Sequence, residues 1–136
     1  MATVLIFEDD MQLSSYWRKV LEAKNHAVYC CATVKDALAM ATTIRPDVIV
    51  MDMMIKENGQ FIPEGGLTLL TQLKLNYDGS PGVIGVSGYK PGIYNQSTAL
   101  EIAKYTGIDL ALYKPIASEQ LLEAVEQLLA NNVTEQ

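Results

Sequence analysis

The chain has 136 residues, 49% of them hydrophobic, which suits the core of one domain and gives no reason to expect two. Ten basic and 16 acidic residues give a net charge of −6, which argues against binding to nucleic acid or to an anionic membrane surface. No apolar stretch is long enough to cross a bilayer and no basic region precedes the apolar amino terminus, so we expect a cytoplasmic protein without membrane insertion.

The residues that usually bind zinc are scarce in this chain. The only two cysteines, Cys30 and Cys31, are adjacent in an apolar stretch, which is typical of reduced core residues. His26 is the only histidine, so a metal site built on Cys and His would lack ligands. Zinc binding and histidine-based catalysis are therefore disfavoured.

Strand patterns and helix patterns alternate from one end of the chain to the other. Five short apolar runs rich in β-branched residues predict strands over 3–7, 27–32, 47–52, 83–86 and 108–113. Apolar residues at helical spacing predict helices from Met11 to about Asn25, from Val34 to just before Pro46, from Leu67 to Leu73, from Ala99 to Thr106, and from Ser118 onward. With right-handed crossovers, this order predicts an α/β fold with a five-stranded, doubly wound parallel sheet between two layers of helices, five in all.

Caps and connections complete the predicted architecture. Asp10 and Ser118 are candidate N-caps of the first and last helices. The segment from Met53 to Pro63 is longer than the usual βα connection, so we expect a long loop beside the end of the third strand. The polar residues 131–136 predict a frayed tail that follows a domain of residues 1–130.

The stretch 47–52, with the sequence DVIVMD, organises the rest of the chain. Its apolar residues show no alternation, which predicts a strand buried on both faces. Such a strand delivers its last residue, Asp52, to the carboxyl edge of the sheet, where open α/β folds bind their ligands. Taken alone, Asp52 is equally consistent with a turn former.

Polar residues end four of the predicted strands at this same edge. They are Glu8 and Asp9, then Asp52, then Ser87, then Lys114. Three neighbouring carboxylates repel one another unless a cation holds them, and an all-oxygen set favours Mg²⁺. The lysine adds a positive charge and the serine a hydroxyl, so the set suits a phosphoryl group on Asp52. Each residue has an ordinary structural explanation, but four strand ends would have to form this site by coincidence.

This pattern resembles the receiver domain of two-component response regulators over essentially the whole chain. The resemblance implies that Asp9 binds the metal directly and Glu8 through water. It implies that Asp52 is the phosphoacceptor and that the backbone carbonyl of Met54 is the third protein ligand of Mg²⁺.

The same resemblance extends to the switch residues and to the fold. Ser87 and Lys114 match the hydroxyl residue and the lysine that bind the phosphoryl group, and the bond from Lys114 to Pro115 is expected to be cis. The expected fold is a flavodoxin-like or CheY-like three-layer sandwich with strand order 2-1-3-4-5.

The function implied by the resemblance is a signalling phosphoacceptor and not an enzyme. Asp52 accepts a phosphoryl group from a histidine kinase or a histidine phosphotransfer protein, and slow autodephosphorylation resets it. The phosphorylated form then contacts a downstream protein target. Because the chain ends just after the last predicted helix, we expect a stand-alone regulator that binds no nucleic acid directly.

Two departures from the family keep an alternative open. The segment between Asp52 and Gly66 is about five residues longer than is usual in the family. Ala111, three residues before Lys114, occupies a position where the family often carries an aromatic that moves with the switch hydroxyl. The alternative is a receiver-like interaction module that works without phosphorylation.

Two other classes fit less well. A phosphohydrolase with an aspartyl-phosphate intermediate would need a general acid two residues after Asp52, where this chain has Met54. A nucleotide-binding module would need a glycine-rich or hydroxyl-rich loop after the first strand, where this chain has the acids of residues 8–10.

Overall fold

The computed structural model describes residues 2–53, 55–57, 60–62, 64–88 and 107–134. The strands are β1 (Thr3–Phe7), β2 (Ala27–Cys31), β3 (Val48–Asp52), β4 (Ile55–Glu57), β5 (Gln60–Ile62), β6 (Gly82–Gly88) and β7 (Leu110–Lys114). The described helices are α1 (Met11–Glu22), α2 (Val34–Ile44), α3 (Glu64–Asn76) and α4 (Ser118–Thr134). None of these described helices has the length and apolar composition needed to cross a membrane.

The main sheet has five parallel strands in the order β2-β1-β3-β6-β7. With the short strands β4 and β5 set aside, this is the predicted order 2-1-3-4-5. The central strand β3 is buried along its whole length, as its unbroken apolar run predicts. The sheet therefore presents the end of β3, and with it Asp52, between β1 and β6.

Two hydrophobic clusters cover the two faces of the sheet. Alternate residues of β1 divide between them, since Val4 and Ile6 belong to one cluster and Leu5 and Phe7 to the other. The first cluster includes Trp17 and other buried residues of α1 and α4, and the second includes buried residues of α2 and α3. This is the three-layer arrangement that the alternation of strands and helices predicts.

Local signals explain where α1 begins and ends. The carboxylate of Asp10 accepts hydrogen bonds from the backbone N–H groups of Gln12 and Leu13, both at 3.1 Å, which confirms it as the N-cap. The helix ends at Glu22, earlier than predicted, because the next residues turn and Asn25 adopts a left-handed φ of 67°. Asn tolerates that conformation better than most residues.

Three features differ from the sequence-based expectation or lie beyond it. Part of the expected loop 53–63 forms an antiparallel hairpin of β4 and β5, in which Ile55 pairs with Ile62. The predicted fourth helix, Ala99 to Thr106, lies outside the described residues. Helix α4 extends to Thr134 and so includes residues 131–134 of the segment 131–136, for which we expect a frayed tail.

Candidate functional site

The register of the main sheet brings four strand ends to one edge. Phe7 of β1 pairs with Met51 of β3, and Asp52 pairs with Val86 of β6. At the end of β7, Lys114 pairs with Gly88. The polar residues that end or follow these strands are Glu8 and Asp9, Asp52, Ser87 and Lys114, and all of them therefore lie at the carboxyl edge.

Three carboxylates form the centre of this edge. Glu8, Asp9 and Asp52 each offer one oxygen, and these oxygens lie within 4.8 Å of one another. Glu8 and Asp52 are 1% and 2% exposed, whereas Asp9 is partly exposed. The carboxylate of Glu8 also accepts a hydrogen bond from the backbone N–H of Asp9 at 3.0 Å, which holds the side chain over the start of the β1–α1 turn.

Lys114 joins two of these carboxylates. Its Nζ donates to Oε1 of Glu8 at 2.5 Å and to Oδ2 of Asp52 at 3.3 Å. The same Nζ lies 5.9 Å from the centroid of the Trp17 ring, within the range of a cation–π contact. The following bond, from Lys114 to Pro115, is cis, as the family resemblance implies.

Burial and neighbouring charges shift the pKa values of Glu8 and Lys114. Burial first, and then the hydrogen bond and the charge of Asp52, raise the pKa of Glu8 to about 9, and Lys114 only partly offsets this. Burial alone would lower the pKa of Lys114, but its attraction to Asp52 and Glu8 outweighs that effect and raises the pKa. Ionisation of Glu8 would therefore place more negative charge in the buried site than one ammonium group neutralises.

The donor set fits Mg²⁺. All three side chains present carboxylate oxygens, which are the ligands that Mg²⁺ prefers, and their oxygens are close enough to share one ion. Burial and the neighbouring Asp52 raise the pKa of Glu8, and a divalent cation would supply positive charge that favours its ionised form. The predicted third ligand, the carbonyl of Met54, lies outside the described residues.

Ser87 lies at the same edge but inside β6, one residue before the strand ends, and it is 1% exposed. It was expected just after a strand over 83–86, but the strand continues to Gly88 and Ser87 still lies beside the other site residues.

Two contacts of Lys114 were not predicted from the sequence. They are its ion pairs with Glu8 and Asp52 in the metal-free protein and its position beside the ring of Trp17. A tryptophan at helical spacing carries no signal in the sequence that it lies beside a lysine about a hundred residues away.

Residues 4–126 match the model of the response regulator receiver domain. No curated protein matches the chain in sequence. The match covers most of the chain and includes the carboxylates of Glu8, Asp9 and Asp52, Ser87 and Lys114.

Solved structures show the same fold. The receiver domain of the Francisella response regulator 1452 is 26% identical, with 97% of this chain and 99% of that chain covered and a TM-score of 0.74. The receiver domain of a signal transduction histidine kinase from Syntrophus aciditrophicus is 21% identical, with coverage of 96% and 92% and a TM-score of 0.78. The chemotaxis response regulator CheY4 of Vibrio cholerae is 21% identical, with coverage of 94% and 98% and a TM-score of 0.73.

Proposed function

The chain belongs to the response regulator receiver domains of two-component systems, and we propose that it is a cytoplasmic phosphoacceptor whose acceptor residue is Asp52. The donor is the phosphohistidine of a histidine kinase or of a histidine phosphotransfer protein, and Mg²⁺ is the cofactor. As a receiver domain the chain is a signalling phosphoacceptor and not a classical enzyme. Its output is a contact with a downstream protein.

One observation carries this proposal. Asp52 is buried at the carboxyl edge, within reach of two further carboxylates and of the ammonium group of Lys114. An Asp that only formed a turn would usually be exposed, and its carboxylate would accept hydrogen bonds from its own backbone. It would not require two further carboxylates and an ammonium group beside it.

The chemistry assigned to these residues is an in-line phosphoryl transfer. A carboxylate oxygen of Asp52 attacks the phosphorus, and the bond from phosphorus to the histidine nitrogen breaks as the new bond forms. When bound by Glu8, Asp9, Asp52 and the carbonyl of Met54, Mg²⁺ supplies positive charge to the phosphoryl oxygens. The histidine ring leaves with the electron pair of the broken bond.

Lys114 links the chemistry to the rest of the fold. In the metal-free protein it contacts both Glu8 and Asp52, and a phosphoryl group on Asp52 competes for the same ammonium group with more negative charge. The lysine then binds a phosphoryl oxygen, and the hydroxyl of Ser87 donates to another. Because Lys114 ends β7 and Ser87 lies in the neighbouring strand, the two residues bias the packing of β7 and α4.

The test is the intact mass of the protein after incubation with Mg²⁺ and acetyl phosphate. We expect the wild type to gain one phosphoryl group and Asp52→Asn to gain none. Asp36→Asn, which changes an exposed carboxylate in the first turn of α2, is the matched control and should behave as the wild type does.

A phosphoryl group gained by Asp52→Asn would contradict the assignment of the acceptor. No gain in folded wild type would instead support the interaction module that works without phosphorylation. Ala111 favours that second candidate, since this half-buried residue of β7 leaves the usual switch position without an aromatic side chain.

A further inference from the structure

Gly66 lies directly against the backbone that follows the proposed acceptor. It is the third residue of α3 and it is buried. A Cβ added to it would lie 2.7 Å from the Cα of Met53 and 2.8 Å from the carbonyl oxygen of Asp52. Both of these atoms belong to the backbone, so the first turn of α3 can approach this peptide only because residue 66 has no side chain.

The same peptide is also held by β6, the neighbouring strand of the sheet. The backbone N–H of Met53 donates to the carbonyl of Val86 at 2.8 Å, and the side chain of Met53 is fully buried. The Asp52–Met53 peptide therefore sits between a hydrogen bond to β6 and a close contact with α3. A side chain at residue 66 would displace the peptide and disturb its hydrogen bond to β6, or would push α3 away.

The helix itself gives no reason for a glycine at this position. Glycine is less favourable than alanine inside a helix, because its backbone loses more conformational freedom on folding. Gly82 and Gly79 also approach other groups, but those are side chains, of Leu128 and of Tyr77. Among the four glycines with close contacts, Gly66 alone approaches backbone atoms.

We propose that Gly66 is a positioning residue for the phosphoacceptor site, in that it allows α3 to hold the Asp52–Met53 peptide so that the carboxylate of Asp52 lies where it can serve Mg²⁺ and the phosphoryl group. The inference rests on the proposed function for the role of Asp52. Gly66 touches neither ion nor phosphoryl group, and it acts through the backbone of its neighbours.

The test is Gly66→Ala, with the affinity for Mg²⁺ measured by calorimetry. We expect a loss of about tenfold or more, the size seen when groups that orient metal ligands are altered. The initial rate of phosphorylation by acetyl phosphate at saturating Mg²⁺ should fall as well, because Asp52 itself is displaced.

Gly82→Ala is the matched control. Its Cβ would lie 3.0 Å from the side chain of Leu128, at the opposite end of β6 from Ser87, so it disturbs packing far from the site. This variant should lose stability while its Mg²⁺ affinity stays at the wild-type value. Equal losses of affinity in both variants would show a general effect of destabilisation and overturn the proposal.

Amide hydrogen exchange tests the proposal independently of phosphorylation. In metal-free Gly66→Ala the Met53 amide should lose protection, while the Val50 amide in the middle of β3 keeps it. If Gly66→Ala does not fold, hydrogen exchange of the wild type tests the proposal. Addition of Mg²⁺ should then increase the protection of the amides of Met53 and of the first turn of α3 together. Protection that increases at Met53 alone would contradict the role of Gly66.

The two proposals can fail separately. A wild type that binds Mg²⁺ but gains no phosphoryl group would overturn the proposed function, and the affinities of the variants would still test the role of Gly66. A wild type that gains the phosphoryl group, with a Gly66→Ala variant that binds Mg²⁺ normally, would overturn only the role of Gly66.

Discussion

At the scale of single residues, the site combines the cost of burying carboxylates with the charge of one lysine that partly offsets it. Glu8 is fully buried, and its raised pKa means that the folded protein holds a proton on this group more tightly than the unfolded chain does. Lys114 spans Glu8 and Asp52 and lowers the cost of burying them. When Glu8 is ionised, the buried carboxylates repel one another, and a divalent cation would relieve this repulsion.

The first prediction concerns the pH dependence of stability. The pKa of Glu8 is raised from 4.5 to about 9, so its stabilising contribution is complete below pH 4.5 and is lost as the pH rises toward 9. Glu8→Gln cannot ionise at this position, so it does not lose this stability as the pH rises. Without metal, the free energy of unfolding of the variant minus that of the wild type should therefore increase from pH 5 to pH 9. The increase should exceed about 1.4 kcal/mol, the equivalent of one pKa unit.

Urea denaturation at several pH values in the presence of a chelator measures this difference. Glu22→Gln, a change at a half-exposed carboxylate of α1, is the control and should leave the pH dependence as it is in the wild type. Parallel stability curves for Glu8→Gln and the wild type would contradict the raised pKa.

The second prediction separates the roles of Lys114 and Glu8. Lys114→Met removes the ammonium group that competes with a cation for Glu8 and Asp52, so Mg²⁺ should bind at least as tightly as in the wild type. Glu8→Gln should bind Mg²⁺ more weakly, because it removes a carboxylate from the set. Calorimetric titration with Mg²⁺ gives both affinities, and weaker binding by Lys114→Met would contradict the competition.

That these residues share one edge of the sheet could be predicted from the sequence, but not how they pair. Parallel strands bring their last residues to one edge, so the spacing of Glu8, Asp52, Ser87 and Lys114 was sufficient to place them there. The pairing of Lys114 with Glu8 depends on the lengths and rotamers of two side chains at the edge, which no sequence pattern encodes. The close approach of Gly66 to the Asp52–Met53 peptide depends in the same way on how α3 packs.

At the scale of elements, the buried parts of the fold were the most predictable. The bounds of β1 were predicted correctly, because an apolar run with polar ends leaves little freedom. The hairpin of β4 and β5 was missed, although Asn58-Gly59 is a strong hairpin signal, since the flanking runs are only three residues each. The end of α1 was misplaced because apolar spacing does not show where the chain begins to turn.

The third prediction concerns that hairpin. In the described part of the chain, β4 and β5 pair only with each other and form a sheet separate from the main one. A two-stranded hairpin of this length adds little stability of its own. Replacing residues 55–62 with a short Gly-Ser linker should therefore change the free energy of unfolding by no more than about 1 kcal/mol.

Circular dichroism during urea denaturation checks this prediction. An unchanged single transition is expected for the variant, and the same variant should still gain a phosphoryl group from acetyl phosphate. A large loss of stability would show that the hairpin is part of the core and not an addition to it.

At the scale of the whole molecule, one sheet separates two hydrophobic clusters. The residues of β1 and β3 alternate between the clusters, so neither layer of helices can detach without exposing one face of the same strands. Such sharing couples the two layers, and a domain of this size usually unfolds in one cooperative step.

The last prediction tests this coupling with one substitution on each side of the sheet. Leu21 belongs to the cluster under α1 and α4 and Leu69 to the cluster under α2 and α3, and both side chains are fully buried. Leu21→Ala and Leu69→Ala should each lower the free energy of unfolding by about 2–5 kcal/mol, as cavities in a packed core do.

Trp17, the only tryptophan, reports by fluorescence on the first cluster, while circular dichroism reports on the whole fold. If the layers are coupled, the two signals give the same midpoint in the wild type and in both variants. A Trp17 transition that stays at the wild-type midpoint in Leu69→Ala would show that the layers unfold independently.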